Sequence, residues 1–313
     1  MTGGVIVRPM KAGDLPEATR IFRTAFATFL GVPDVTQFRR DLGTIETRFK
    51  TDAGAALVAG RDGRLVGSVF GMDWGGQFVV GPLTVDPACW KQGVARLLTT
   101  AILAVAERRK STLVSLFTFP HSATHLRLYQ SFGFAPMFLT PVMEKPVAKA
   151  TSSFAARLFS RLGSTEQAAT LAMSLTLTGS SFPGLDLRRE IGAIAAHRLG
   201  ETILLDGAEG LAGIALCHIG AGTEAGEGAL FVKFAAVRPG ATADFERLLD
   251  AIEALAVARG VERITAGVNT GRRDAHRRML ERGFRAGFVG VAMHRPDIAG
   301  TLRPDLYIID DWR

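Results

Sequence analysis

The chain has 313 residues, about twice a common domain length, with 47% hydrophobic and 21% charged side chains. These values suit two packed globular units and exclude a disordered chain. The formal charge is +7 and the pI near 9.9, but Lys and Arg are interspersed with acids and form no basic arm. The charge therefore fits a solvated surface with an anionic small ligand better than a nucleic acid. The start, Met1 to Arg8, predicts no leader, and no apolar run predicts a membrane span. Cys89 and Cys217 lie far apart without metal-ligand spacing, which predicts a reduced, cytoplasmic protein with no metal.

In chain order, Val5-Ile6-Val7 reads as a first strand. Asp14 with Glu17 has capping-box spacing ahead of an apolar stripe through Ala18, Ile21, Phe22, Ala25, Phe26 and Phe29, ended by Gly31 and Pro33. A second polar helix is predicted from Thr36 to Phe49. Residues 55–59 and 65–70 are strands joined across Arg61-Asp62-Gly63-Arg64, a hairpin signal. Asp73 falls in the loop before the fourth strand, Phe78 to Thr84. Val94, Leu97, Leu98, Ala101, Ile102 and Val105 then keep helical spacing. Leu113 to Phe119 is a fifth strand, His125 to Phe132 a helix closed by Gly133, and a strand returns from Phe134.

Between the fourth strand and its helix lies Val85-Asp86-Pro87-Ala88-Cys89-Trp90-Lys91-Gln92-Gly93-Val94-Ala95-Arg96. A loop feeding a helix N-terminus turns backbone N–H groups outward, and the helix dipole favours an anion there. Gly93 and Ala95 leave room for close approach; Lys91 and Gln92 add a charge and a donor. The parts read as a pyrophosphate cradle, although an ordinary strand-to-helix turn uses the same residue types. The stretch is neither a GxxxxGK[ST] loop nor a GxGxxG fingerprint.

This wording resembles the acyl-CoA loop of the GNAT superfamily of N-acyltransferases, V-x-P-x-x-[RQ]-x-x-G-x-[GA]. Val85, Pro87, Gly93 and Ala95 fall on the pattern, and Trp90 stands where the family has Arg or Gln. A second segment, Leu128-Tyr129-Gln130-Ser131-Phe132-Gly133-Phe134, resembles the family's L-Y-x-x-x-G-F, with Ser122 and His125 replacing the usual Asn and Ala. The element order over residues 5–145 is also that of the family. The resemblance implies a mixed α/β sheet, acetyl-CoA as co-substrate, and cofactor contacts from Leu83, Val85, Trp90, Lys91, Gln92, Gly93, Val94, Ala95 and Arg96. It also implies Tyr129 as general acid to the CoA thiolate; a core tyrosine with a satisfied hydroxyl is the plainer reading.

Residues beyond 150 repeat this order. Asp14-x-x-Glu17 returns as Ser164-x-x-Gln167, Pro33 as Pro183, Phe38 to Ile45 as Leu187 to Ile194, Val85-Asp86-Pro87 as Val237-Arg238-Pro239, and Gly133-Phe134 as Gly283-Phe284. The reading is two tandem GNAT-like domains, a catalytic one at 1–147 and a degenerate one at 154–313, joined near Pro146 to Ser153. Residues 221–228 read as a flexible loop. In the second copy Phe245 and Arg247 stand at the Gly93 and Ala95 positions, where they would fill the cradle, and Met279 replaces Tyr129.

Transfer of an acyl group from a thioester to an amine needs a neutral amine, a polarised carbonyl and a proton for the thiolate. No Glu marks a base on the fourth strand. His121 is the candidate, directly or through water, and His125, one turn before Tyr129, could touch that residue. Asp73 could meet a cationic substrate, while Cys89 lacks a visible base for covalent chemistry. The chain is thus expected to acetylate a primary amine, small-molecule or peptide, as a monomer or homodimer. A non-catalytic acyl-CoA-binding scaffold is the alternative, distinguished by whether Tyr129, Gly93 and Ala95 are used.

Overall fold

A computed structural model describes residues 4–35, 37–148, 156–208 and 210–312. Runs of period two become strands and runs of period 3.6 become helices. The first half comprises β1 (Ile6–Pro9), α1 (Leu15–Leu30), α2 (Thr44–Thr51), β2 (Ala56–Arg61), β3 (Arg64–Trp74), β4 (Gln77–Val85), α3 (Val94–Arg108), β5 (Leu113–Thr118), α4 (Ala123–Gln130) and β6 (Ala135–Pro146). The second follows the same order: β7 (Arg157–Leu158), α5 (Ser164–Ser181), α6 (Arg188–His197), β8 (Gly200–Gly207), β9 (Gly210–Gly220), β10 (Gly226–Val237), α7 (Thr242–Ala258), β11 (Arg263–Gly267), α8 (Arg273–Glu281) and β12 (Arg285–Arg295). A last short strand, β13 (Ile308–Ile309), has no counterpart among the described residues of the first half.

Several local expectations shift. Asp14 does not cap α1: its carboxylate accepts the Lys11 amide at 2.7 Å and two bonds from Arg8, while Glu17 pairs with Arg20. In the second half it is Glu166, one residue before Gln167, that reaches back to the Gly163 amide at 3.1 Å. The polar helix expected from Thr36 begins at Thr44, after turns over 37–41. Thr36 itself, like residues 149–153 of the expected linker, lies outside the described residues. Asp73 belongs to β3 rather than a loop, and there it accepts the Gly75 amide and pairs with Arg109.

The strands join one mixed sheet in the order β1-β2-β3-β4-β5-β12-β6-β11-β10-β9-β8-β7, with β13 off this path against β10. Its two parallel pairs are β4–β5 and β10–β11. The centre is an exchange, in which β12 of the second half pairs with β5 and β6 of the first pairs with β11. The registers repeat across a pseudo-twofold: Val114 faces Arg295 where Ile264 faces Lys145, each partner 150 residues from its counterpart. Packing follows the same symmetry. Met293 of β12 is buried with Phe78, Val80, Leu98, Leu116 and Phe134 under α3, and Met143 of β6 with Leu230, Val232, Leu248 and Phe284 under α7. On the opposite face one cluster spans both halves, joining Trp74, Val79 and Leu113 to Ile191, Phe234 and Trp312.

Candidate active site

β4 and β5 begin as neighbours and then part. Their pairing runs from Gln77–Leu113 to Val80–Leu116 and stops, although β4 continues to Val85 and β5 to Thr118. The Asp86 amide donates to the Val66 carbonyl of β3 at 2.9 Å. N–H groups alternate in direction along a strand, so Val85 and Leu83 turn theirs toward the opened side. The fork therefore has a backbone edge ready for an extended, amide-bearing ligand.

The loop beyond the fork is wound by its own bonds. Asp86 accepts the Ala88 amide at 3.0 Å, and its carbonyl takes the Cys89 amide at 2.8 Å. Lys91 and Gly93 are left-handed, at φ 61° and 82°, and α3 starts at Val94. A Cβ on Gly93 would meet no atom within 4 Å, so the space in front of the α3 N-terminus is open and suits a phosphate. Val94 buries its side chain in the core and offers only backbone. Arg96 is exposed, donates to Ser131 at 3.2 Å and lies over the Phe132 ring. Gln92 is committed locally, donating to the Ala88 carbonyl and accepting from Arg61 at 2.6 Å. Trp90 donates its indole N–H to the Val85 carbonyl at 2.8 Å. The sequence reading missed Arg61 and also Arg20, which bonds Asp86 at 2.8 Å; nothing in their local sequence points to the loop.

Tyr129 is buried among the core residues under α3, its ring edge-on to Phe134 at 6.1 Å. Burial pushes its hydroxyl up to about 12, so it stays protonated at neutral pH and suits a donor. Among the described residues no hydrogen bond from Nδ1 and no ring pairing joins His125, the expected neighbour, to Tyr129. Instead His125 joins rings on the α1 side: Phe29 at 4.9 Å and Phe119 at 5.8 Å, with its Nδ1 buried and unpartnered. Burial, then the charge of His121, lowers its pKa. His121 stacks on Phe29 at 5.9 Å and is exposed. Phe288 of β12 completes this aromatic group, 5.5 Å from Phe119 and 5.8 Å from Phe117. Between α1, the start of α2 and Gly222 of the second half, a cavity of about 260 Å³ is lined by Phe22, Arg23, Arg40, Asp41 and Gly222.

The second half has a fork in the same place. β10 and β11 pair from Ala229–Arg263 to Val232–Ala266 and separate, but here β13 fills the opening, pairing Ile309 with Ala235 and Ile308 with Ala236. Tyr307 follows the strand in, its hydroxyl 2.5 Å from both Asp274 and Thr242. The expectation that Phe245 plugs this cradle is wrong. α7 begins early, at Thr242, which rotates Phe245 fully into the core against Tyr307. Arg247 turns to Asp244 and the Asp206 carbonyl. Met279 is a core residue.

Residues 17–134 match the family described as Acetyltransferase (GNAT) family. That stretch is similar to a GNAT acetyltransferase domain. Around it the whole architecture recurs in solved structures of low identity. A Pyrococcus horikoshii protein, provisionally described as an acetyltransferase, has a TM-score of 0.70 at 15% identity over 99% of this chain and 95% of its own. A GCN5-related N-acetyltransferase from Sphaerobacter thermophilus gives 0.59 at 17%, over 93% and 95%. A glucosamine N-acetyltransferase region of a fungal multi-domain β-N-acetylglucosaminidase gives 0.61 at 15%, over 94% of this chain and 38% of that one. A search of curated proteins found no match. β4, the loop, α3, β5 and Tyr129 lie within the matched stretch, whereas Phe288 and β13 lie outside it.

Proposed function

We propose that the protein is an acyl-CoA-dependent N-acyltransferase, most simply an acetyltransferase acting on a primary amine, with one working site in the first half. The contrast between the two forks carries this reading: one edge is sealed by the chain's own β13, and its counterpart at Leu83–Val85 opens onto a glycine-marked helix N-terminus. Acetyl-CoA would supply an activated thioester. The amides of Val94, Ala95 and Arg96, with Lys91, would hold its pyrophosphate, and Leu83 and Val85 its peptide-like arm. A backbone N–H of the open edge would polarise the carbonyl. Tyr129, kept protonated, would return a proton to sulfur, and His121 on the other side of β5 would take one from the amine.

The halves are copies of one fold, the second now structural, and the protein works in the cytoplasm on a small-molecule or peptide amine. The bond from Trp90 to the Val85 carbonyl favours one rival, a protein that binds acyl-CoA without turnover, because it occupies an acceptor at the mouth of the fork. Calorimetric titration with acetyl-CoA, followed by thiol release across a panel of amines, decides the matter. Binding with amine-dependent release supports the enzyme, binding without release supports the rival, and no binding removes both.

A further inference from the structure

We propose that Arg48 and Glu224 are positioning residues of the first-half site, and that through them the second half holds the β4–β5 fork open. The inference rests on the reading of that fork as the acyl-CoA slot.

Gly81 is the first β4 residue past the last pair with β5. A carbonyl that loses its sheet partner inside a protein needs another donor. At Gly81 that donor is Nη1 of Arg48, on α2, at 2.9 Å. The guanidinium is only 2% exposed, and its remaining nitrogens grip Glu224 of the second half, Nε at 3.0 Å and Nη2 at 2.7 Å. Residues 221–228, expected to be a flexible loop, thus anchor the interface: Glu224 is buried, and the Gly43 amide donates to the Thr223 carbonyl at 2.9 Å.

Glu224 is held in turn. Lys233 donates to it at 2.6 Å and reaches Glu190 at 3.1 Å, and Glu190 accepts the Trp74 indole of β3 at 3.2 Å. Burial alone would raise the Glu224 carboxyl, but the charges of Arg48 and then Lys233 overcome it and hold it well below the usual carboxylate range. Glu190 and Asp311 add negative charge toward Arg48. His218, whose Nδ1 accepts the Glu224 amide at 3.4 Å, contributes no charge at neutral pH.

The network could be a staple between halves and nothing more, as buried ion pairs often are. The bond to Gly81 is what a staple does not require. One planar guanidinium fixes a strand carbonyl on one side and a carboxylate on the other, a geometry that lysine cannot copy. Leu83, whose amide faces the fork, is two residues away. If Glu224 loses its charge, Arg48 turns toward other partners and the Gly81 carbonyl moves with it. A displacement near 1 Å at a reacting centre costs roughly a hundredfold in rate.

The test uses the full chain and three variants, Glu224→Gln, Arg48→Lys and Glu190→Gln, each assayed well below its melting temperature. The last cuts the same network two links beyond Glu224, on the side away from Gly81. The expected result is a weaker acetyl-CoA Kd and a kcat/KM lowered roughly ten- to hundredfold in the first two variants. Glu190→Gln should melt earlier yet keep both constants. Wild-type constants in all three folded variants would overturn the inference while leaving the site reading intact, as would losses of equal size in all three. Failure of both Glu224→Gln and Arg48→Lys to fold makes the network a stability element and also overturns it. A wild-type chain that binds no acetyl-CoA removes the site reading, and this inference with it.

Discussion

Tyr129 sits where its proton cannot easily be lost, and that sets its expected phenotype. Tyr129→Phe keeps the packing against Phe134 and removes only the hydroxyl, so acetyl-CoA affinity should hold while kcat falls roughly a hundred- to ten-thousand-fold. Unchanged kcat would take the residue out of the mechanism. Gly93 allows a cleaner pair of substitutions because a side chain there enters open space. Gly93→Ala and Gly93→Glu share the left-handed strain, about 1–2 kcal/mol, but only the glutamate puts a negative charge before the helix. Calorimetry should find binding in the first and none in the second. His218 reports on the interior. Burial, then the charge of Lys233, holds its pKa down to about 3, so below about 6.5 the unfolded chain takes a proton the folded one refuses. Stability should fall as pH drops through that window, by roughly 1.4 kcal/mol per unit. His218→Asn, which retains an acceptor for the Glu224 amide, should recover about 2–3 kcal/mol of the loss between pH 7 and 4.5 in urea melts.

At the scale of elements, β12 places Phe288 against Phe117 and Phe119 beside the fork. Phe288→Ala should change which amines are accepted, read as a shift in relative kcat/KM across a panel, and leave the acetyl-CoA Kd unmoved; an unaltered panel would make Phe288 packing alone. Much of this level was legible in advance. The hairpin over Arg61–Arg64, the helix from Val94 and the loop around Gly93 follow from local periodicity and turn chemistry, and those signals act over a few residues. Phe288, Glu224 and β13 were not legible. Phe288 and Ile308 are apolar residues in apolar runs, and only the sheet order tells which neighbour each run meets. The early start of α7 belongs to the same class: a shift of four residues in a helix N-terminus changed Phe245 from an expected plug into a core side chain.

For the whole molecule, stoichiometry is the direct check. With β13 in the second fork, a full chain should bind one acetyl-CoA, and two would contradict the sealed slot. The exchange of β6 and β12 also means that neither half has a complete sheet alone. Residues 1–148 expressed by themselves should aggregate or lack dispersed amide resonances, since β5 would expose the edge that β12 covers. A soluble, active fragment would show that the halves are independent. This interleaving also has a cost in time. During synthesis β5 leaves the ribosome well before its partner β12 exists, because Thr118 must await Val291. At 5–20 residues per second that wait lasts roughly ten to thirty-five seconds. For this interval the nascent first half carries an open strand edge and an unfilled position where Met293 will sit. A cell making this protein therefore has to shelter an incomplete sheet, and the translation rate through residues 119–291 becomes a determinant of its yield.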